Sequence, residues 1–341
     1  MKKNICLITI VAIAFLYGCN ERKNFFSKNM KILDDEFKVS STISGEKLPT
    51  TEVYNITSLI CFDEYLLVIT PGASSVFNVL TFNGKVVSQF GTIGRANDEL
   101  ANGHFNGQTG KIDGDNCIWV SDVGKARLVL IDIDKSMENG KLFIIREIKT
   151  TPMCVDCFCI NDSVFISEQL MENNYELLKH NMSWGILSRN VLYSDAFEDA
   201  FSLYHSIWRW DPHRNRMIGA MLSVNQINFY SLDNQERFSI VIGESRTDKN
   251  ELIDAETGLA LMATFSDLVV TDSYIYALYI NQDYDDAYEK AKPLDLLIFD
   301  LDGNLDRVIR INEYVFDIAI SSNGEYLYGS TSNDEIYRYR L

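Results

Sequence analysis

The sequence predicts an all-β fold: a six-bladed β-propeller of four-stranded antiparallel blades, with the last blade closed by an N-terminal strand. Two observations carry this. A short strand, a tight polar turn and a β-branched or aromatic strand recur six times, with turns roughly 46 to 58 residues apart, the spacing of propeller blades. After the sixth turn only two strands remain before Leu341, so the last blade has three strands and needs a fourth from elsewhere.

The six first hairpins are expected over residues 59–70, 111–121, 155–167, 207–222, 268–278 and 318–329. They turn at Asp63-Glu64, Asp115-Asn116, Asn161-Asp162, His213-Arg214-Asn215, Asp272-Ser273 and Asn323-Gly324. Asn, Asp and Ser bond their own backbone in such turns, and Gly accepts a positive φ without strain. A second hairpin follows most of them. Residues 76–90 turn at Asn83-Gly84, 227–242 at Asp233-Asn234, and 294–311 at Asp302-Gly303-Asn304. Residues 127–148 do so through a longer link around Glu138-Asn139-Gly140. Two hairpins supply the four strands of one blade. Short strands alone do not fix closure, and a sandwich uses the same strands. The closing strand is expected from residues 36–43 or 51–56, either of which can lie beside residues 336–339 and cover an open sheet edge.

Ahead of the propeller, at residues 36–341, lies a segment with another role. Lys2 and Lys3 precede a short apolar stretch, residues 5–16, and then Leu16-Tyr17-Gly18-Cys19. This is the layout of a secretory signal, expected at residues 1–18, and the stretch is too short for a permanent transmembrane helix. Its ending resembles the bacterial lipobox, whose cysteine takes a lipid and becomes the new N-terminus; a thiolate is the nucleophile such a step needs. An ordinary signal that happens to contain Cys19 is the alternative. Residues 19–35, with several basic side chains and Phe25-Phe26, are expected to tether the body to the lipid. Asn20 is not the Asp that marks inner-membrane retention, so an outer-membrane lipoprotein facing periplasm or cell surface is expected.

Removing the signal takes away Lys2 and Lys3 and no acid, leaving 29 basic and 48 acidic side chains. Such a chain repels phosphate backbones and anionic lipid, which disfavours nucleic acid and limits membrane attachment to the N-terminal lipid. The acids are dispersed, as on a solubilising surface. Five cysteines remain after Cys6 and Cys19: Cys61, Cys117, Cys154, Cys157 and Cys159. Read as strand, residues 154–160 would point Cys154 and Cys157 to opposite faces and keep them from bonding. No second Cys-x-x-Cys completes a zinc set, so small buried hydrophobes are expected.

Three stretches resemble the TolB-like six-bladed β-propeller lipoproteins of Gram-negative bacteria. Phe90-Gly91-Thr92-Ile93-Gly94-Arg95-Ala96-Asn97-Asp98-Glu99-Leu100 is similar to the Gly-rich link that leaves their first blade, with Ala96-Asn97 where Gly-Pro is usual. Residues 274–304, with Leu297-Ile298-Phe299-Asp300-Leu301-Asp302-Gly303-Asn304, resemble the fifth blade. Ser321-Ser322-Asn323-Gly324-Glu325-Tyr326-Leu327-Tyr328 is similar to the family's final hairpin. The resemblance implies the fold. It implies no reaction, because the family has no established one.

Asp300-Leu301-Asp302-Gly303-Asn304-Leu305-Asp306 has the alternating acids of a calcium loop, but no Glu stands at the twelfth position, and Asp-Gly-Asn also suits a tight turn. No metal ligands are assigned, and calcium is the one cofactor left open. Trp208-Arg209-Trp210-Asp211-Pro212-His213-Arg214, preceded by His205, is the densest aromatic and cationic cluster. Flat rings with hydrogen-bonding ends suit sugars or peptides, while Trp208 and Trp210, two apart on one strand, would equally pack between blades. The insert at residues 281–293 adds Tyr284 and Tyr288 in an acidic setting that could meet a cationic or hydroxyl-rich partner or simply cover one end of the propeller. The candidate binding residues are therefore Trp208, Arg209, Trp210, His213, Tyr284 and Tyr288.

No nucleophile elbow, His-Glu-x-x-His pair or phosphate loop is present, and the four histidines lie far apart, so no catalytic residue is assigned. A binding or scaffold module for an envelope protein, peptide or glycan is expected. The alternatives are a propeller hydrolase or lactonase with an axial calcium, and a purely structural envelope protein. A propeller can assemble a site from strand ends around its axis, and such a site leaves no linear motif.

Overall fold

The computed structural model describes residues 26–341 except 51, 153, 155, 172–173, 194–202, 247–251, 255–256, 258 and 290–291. The signal peptide and Cys19 lie outside the described residues, as do the side chains of Asp285, Tyr288 and Glu289. The chain opens with three short strands, β1 (Met30–Leu33), β2 (Ser41–Ile43) and β3 (Glu46–Lys47). Six sheets follow in sequence order.

Blade 1 is β4 (Ser58–Cys61), β5 (Leu66–Ile69), β6 (Phe77–Leu80) and β7 (Val86–Phe90); blade 2 is β8 (Gly103–Ile112), β9 (Asp115–Asp122), β10 (Arg127–Asp132) and β11 (Phe143–Lys149). Blade 3 is β12 (Cys157–Asn161), β13 (Val164–Met171), β14 (Asn174–Asn181) and β15 (Ile186–Tyr193). Blade 4 is β16 (Ser206–Asp211), β17 (Arg216–Met221), β18 (Gln226–Ser231) and β19 (Arg237–Ile242). Blade 5 is β20 (Met262–Val270), β21 (Tyr274–Asp283), β22 (Leu294–Asp300) and β23 (Leu305–Ile311), and blade 6 is β24 (Asp317–Ile320), β25 (Tyr326–Ser330) and β26 (Ile336–Arg340) completed by β3.

Strand alternation explains how the blades become a ring. In β5, Leu66 and Val68 pack into a cluster with Ala319, Tyr328 and Ile336 of blade 6, while Leu67 and Ile69 face Ile118 and Val129 of blade 2. The same division recurs between every neighbouring pair, giving six apolar clusters around the ring. Middle strands are thus buried on both faces, which is why runs such as Leu66-Leu67-Val68-Ile69 and Leu296-Leu297-Ile298-Phe299 are continuously apolar.

The N-terminal segment does more than close one blade. β1 pairs in parallel with β19 at the outer edge of blade 4, β2 in parallel with β23 at the outer edge of blade 5, and β3 antiparallel with β26. The closing strand is therefore Glu46–Lys47 rather than residues 36–43 or 51–56. Coming from the edge of blade 4, the chain reaches the open edge of blade 5 before blade 6 and spends Ser41–Ile43 there. It then turns onto blade 6 at Gly45, where a Cβ would lie 2.7 Å from both Tyr337 and Tyr339. Val53 and Ile56, from the second expected stretch, are buried in the cluster between blades 6 and 1. The stretch expected to be a tether is also engaged from Phe26 onward. That ring is buried beside Tyr193 and Trp208, with the Arg237 guanidinium above it.

Further differences from the sequence reading have local causes. Blade 3 has a second hairpin whose turn carries Trp184 at φ 61°, an unusual residue for positive φ, held because Asn181 Oδ1 accepts from the backbone N–H groups of Ser183 and Gly185. The link after β10 holds a helix, α1 (Ile133–Asn139), capped by Asp132, whose side chain accepts from Lys135 N, and ended by Gly140 in the left-handed conformation. Cys154 and Cys157 are joined by a disulfide, contrary to the expectation that they could not bond. Regular strand begins only at Cys157, so alternation does not govern Cys154, and the two Cα atoms stand 6.7 Å apart.

Candidate functional site

Each inner strand (β4, β8, β12, β16, β20, β24) starts at one end of the central channel and finishes at the other. Midway, side chains tie the inner strands together. Arg209 Nη2 lies 2.8 Å from Asp267 Oδ1, and its Nη1 donates to the Asn106 carbonyl at 3.1 Å. Asp267 Oδ2 accepts from Ile318 N, and Asp317 Oδ2 from Leu59 N, which links blades 5 to 6 and 6 to 1. Gln108 bonds both backbone groups of Cys159, and Asn106 donates to the Cys157 carbonyl, joining blades 2 and 3. Gly107, at φ +83° in an irregular stretch of β8, gives Arg209 its space: a Cβ there would come within 2.5 Å of the guanidinium Nε. One guanidinium faces two buried carboxyls. Burial, with the Asp267 charge alongside, pushes the Asp317 carboxyl well above the usual range, and burial raises Asp267 despite Arg209.

At the end where inner strands begin, four chemically active side chains from three blades converge. His104 Nε2 is 3.2 Å from Asp156 Oδ1, and Glu168 Oε2 is 4.0 Å from His205 Nδ1. Asp156, Glu168 and His205 each bring a ligand-type atom within 4.8 Å of the others. Trp208 Nε1 donates to Glu168 Oε1 at 2.6 Å. Burial and the neighbouring Asp156 charge hold Glu168 well above the ordinary carboxylate range. Burial would raise Asp156 too, but the hydrogen bond from His104 and the charges of His104, His205 and Arg209 bring it below. Burial lowers His205.

Beside this cluster opens a cavity of about 840 Å³, with His205 in its wall. It is built by the link between blades 4 and 5 (Leu259, Ala260), the insert helix α2 (Tyr284–Glu289), the link to blade 6 (Glu313, Tyr314, Phe316) and the loop at residues 331–335. Its lining is mostly apolar and aromatic, with hydroxyls and Glu313 among it, and Leu259 and Tyr284 in its wall are exposed. A second cavity, about 450 Å³, opens at the opposite end among Arg209, Trp210, Pro212, His213, Asp267 and Asp317.

The sequence-derived candidates divide between these places. Trp208 is 1% exposed, packs in the cluster between blades 3 and 4, and lies on Gly219, where a Cβ would stand 2.7 Å from its ring. Trp210 packs at the margin of that cluster, half-buried. Arg209, on the other face of β16, points into the channel. His213 is exposed at the far end, 3.0 Å from Asp272 in the next blade's turn. Tyr284 stands at the rim of the large cavity; the side chain of Tyr288 lies outside the described residues. The stretch from His205 to Arg214 thus runs the length of the channel, and only His205 shares an end with Tyr284. The loop Asp300–Asp306 is bonded within itself, Asp300 accepting from Asp302 N, Asn304 N and Asn304 Nδ2. Sequence reasoning missed His104, Asp156 and Glu168, which no common spacing connects; Glu168 stands between Ser167 and Gln169 in β13, so it carries no distinct signal of its own.

Comparison with known proteins agrees with this architecture. No curated protein matches the chain. Among solved structures, a protein of Bacteroides fragilis described as exported has a TM-score of 0.59 at 10% identity, covering 91% of this chain and 99% of that one. A member of the duf4221 family from Bacteroides vulgatus has a TM-score of 0.56 at 11% identity, covering 87% and 97%. At such identity the likeness is one of fold. The family described as TolB-like 6-blade propeller-like matches residues 75–323, most of the ring. With six blades closed by its own N-terminal strand, and that match covering blades 2 to 5 whole with parts of blades 1 and 6, the chain belongs to the TolB-like six-bladed β-propeller family.

Proposed function

We propose that this protein is a lipid-anchored binding propeller of the bacterial envelope, which receives a partner in the cavity between blades 4, 5 and 6. The observation that carries the reading is that cavity. Its roughly 840 Å³ lies within the usual range for ligand pockets, and a mostly apolar lining with a few polar groups is how such pockets combine affinity with orientation. Four separate loops build it, one of them an insert long enough to carry its own helix, as expected where loops serve recognition. The chemistry suits a peptide segment of an envelope protein that seats an apolar or aromatic side chain beneath Tyr284 and Tyr314, with a cation or hydroxyl near Glu313. Anchoring follows from the lipobox-like Leu16-Tyr17-Gly18-Cys19, and export from the signal ahead of it.

A photo-crosslinking residue at Leu259, in cells producing the full chain, tests the binding reading. A discrete adduct from position 259, absent from Val87 on blade 1 and lost in Tyr284→Ala, is expected. Equal adducts at both positions, or none, would remove the cavity from consideration. Anchoring is tested separately: Cys19→Ala should appear in the soluble envelope fraction, and continued membrane fractionation would contradict it. Protease shaving of intact cells distinguishes periplasmic from surface orientation.

A further inference from the structure

We propose that Asp156, Glu168 and His205 form a binding site for a divalent transition-metal ion of the zinc type, with His104 and Trp208 as the groups that orient its carboxylates. The three ligand-bearing side chains lie within 4.8 Å of one another at the end of the channel where the large cavity opens. Zinc bonds of about 2.0–2.2 Å place neighbouring ligands roughly 3.3 Å apart, so each side chain needs to close by only about 1 Å. They come from two neighbouring blades: Asp156, just before β12, and Glu168, on β13, meet across one hairpin of blade 3, and His205 precedes β16 of blade 4.

The surroundings are those of a prepared site. Asp156 and Glu168 are almost wholly withdrawn from water, at 13% and 3% side-chain exposure. Two buried carboxyls side by side are unfavourable unless a proton or a cation stands between them. Each carboxylate also has outer partners: His104 Nε2 at Asp156 Oδ1, and Trp208 Nε1 at Glu168 Oε1 with Tyr175 as a further hydrogen-bond partner of Glu168. Outer partners of this kind orient metal-binding carboxylates. An imidazole among the ligands favours zinc-like ions over calcium, which takes oxygen donors. Three protein ligands leave a coordination position open, and the site shares His205 with the cavity, so that position would face whatever the cavity holds.

The experiment uses purified mature protein, stripped with chelator, loaded with Zn²⁺ and desalted, with metal measured by mass spectrometry. Co²⁺ absorption reports on ligand geometry. One equivalent of Zn²⁺ is expected, with the d–d bands of a low-coordinate cobalt site, and millimolar Ca²⁺ should not displace it. His205→Ala and Glu168→Gln should each lower affinity at least tenfold while keeping the wild-type circular dichroism spectrum. His213→Ala, at the other end, should leave binding unchanged. Absence of stoichiometric zinc, displacement by calcium, or wild-type affinity in both ligand variants would overturn the site. His205, partly exposed, keeps the test decisive if Glu168→Gln fails to fold. Crosslinking at Leu259 reads the cavity without metal, so either proposal can fail alone.

Discussion

Arg209 shows how one side chain sets the charge state of the channel. It can neutralise one of the two carboxyls near it, and Asp317 keeps a proton as the second. Asp317 is raised in the folded state, so native protein holds a proton that unfolded chain releases near the ordinary value. Its stabilising share is complete below that value and is lost as pH rises through the folded one. Asp317→Asn keeps an acceptor for Leu59 N but cannot ionise. Urea midpoints at pH 5 and pH 8 should show the variant gaining on wild type as pH rises; a constant difference would refute the charge assignment. Trp208 illustrates burial in its plainest form. Trp208→Ala should cost about 3–5 kcal/mol, the usual range for an emptied aromatic pocket, read from the denaturation midpoint. The spacing of Trp208 and Trp210 could be read as one face, but not which face, because blade-to-blade packing and ligand stacking ask for the same residues. The Asp156–Glu168–His205 cluster was illegible for a different reason: Asp156 and Glu168 meet across the β12–β13 hairpin and His205 comes from the next blade, so no sequence period links them.

Hairpins were the most readable elements, since Asn, Asp, Gly and Ser announce a turn wherever backbone geometry demands one. Blade 3 shows the limit. Its second turn places Trp184 at positive φ and relies on Asn181 to stabilise it, so the usual signal is displaced by one side chain's hydrogen bonds. The N-terminal strap was half legible. An unpaired edge after Tyr339 called for a strand, but strands as short as Ser41–Ile43 and Glu46–Lys47 carry almost no pattern of their own, and parallel addition to blades 4 and 5 leaves no sign in the receiving strands. The strap covers three consecutive outer edges, and Leu33, Phe37, Val39 and Ile43 pack against the clusters beneath. Deleting residues 26–47 should therefore lower the melting temperature by more than 10 °C and promote aggregation through the uncovered edges. A scan showing an unchanged midpoint would mean that the ring is held without its strap.

On the scale of the whole molecule, the strap fixes how a lipid anchor would present the propeller. Phe26 is seated against Tyr193 and Trp208, at the junction of blades 3 and 4. Seven residue-to-residue steps lead from Cys19 to Phe26 and, at about 3.3–3.6 Å each, reach at most about 25 Å. With Cys19 lipidated, that junction must stay close to the bilayer, while blade 1, opposite blade 4 in a six-membered ring, is held outward. The near side suits this placement: Ile186, Leu187 and Val191 on β15, together with Met182 in the preceding turn, are exposed apolar side chains. The prediction is one of unequal distance. Single-cysteine fluorophores at Leu187 and Val87, in lipidated protein on vesicles containing a headgroup quencher, should be quenched strongly at 187 and weakly at 87. Equal quenching would mean that the body tumbles freely on its anchor. Stronger quenching at 87 would reverse the orientation and, with it, the inference that the strap carries the lipid from the blade 3–4 junction.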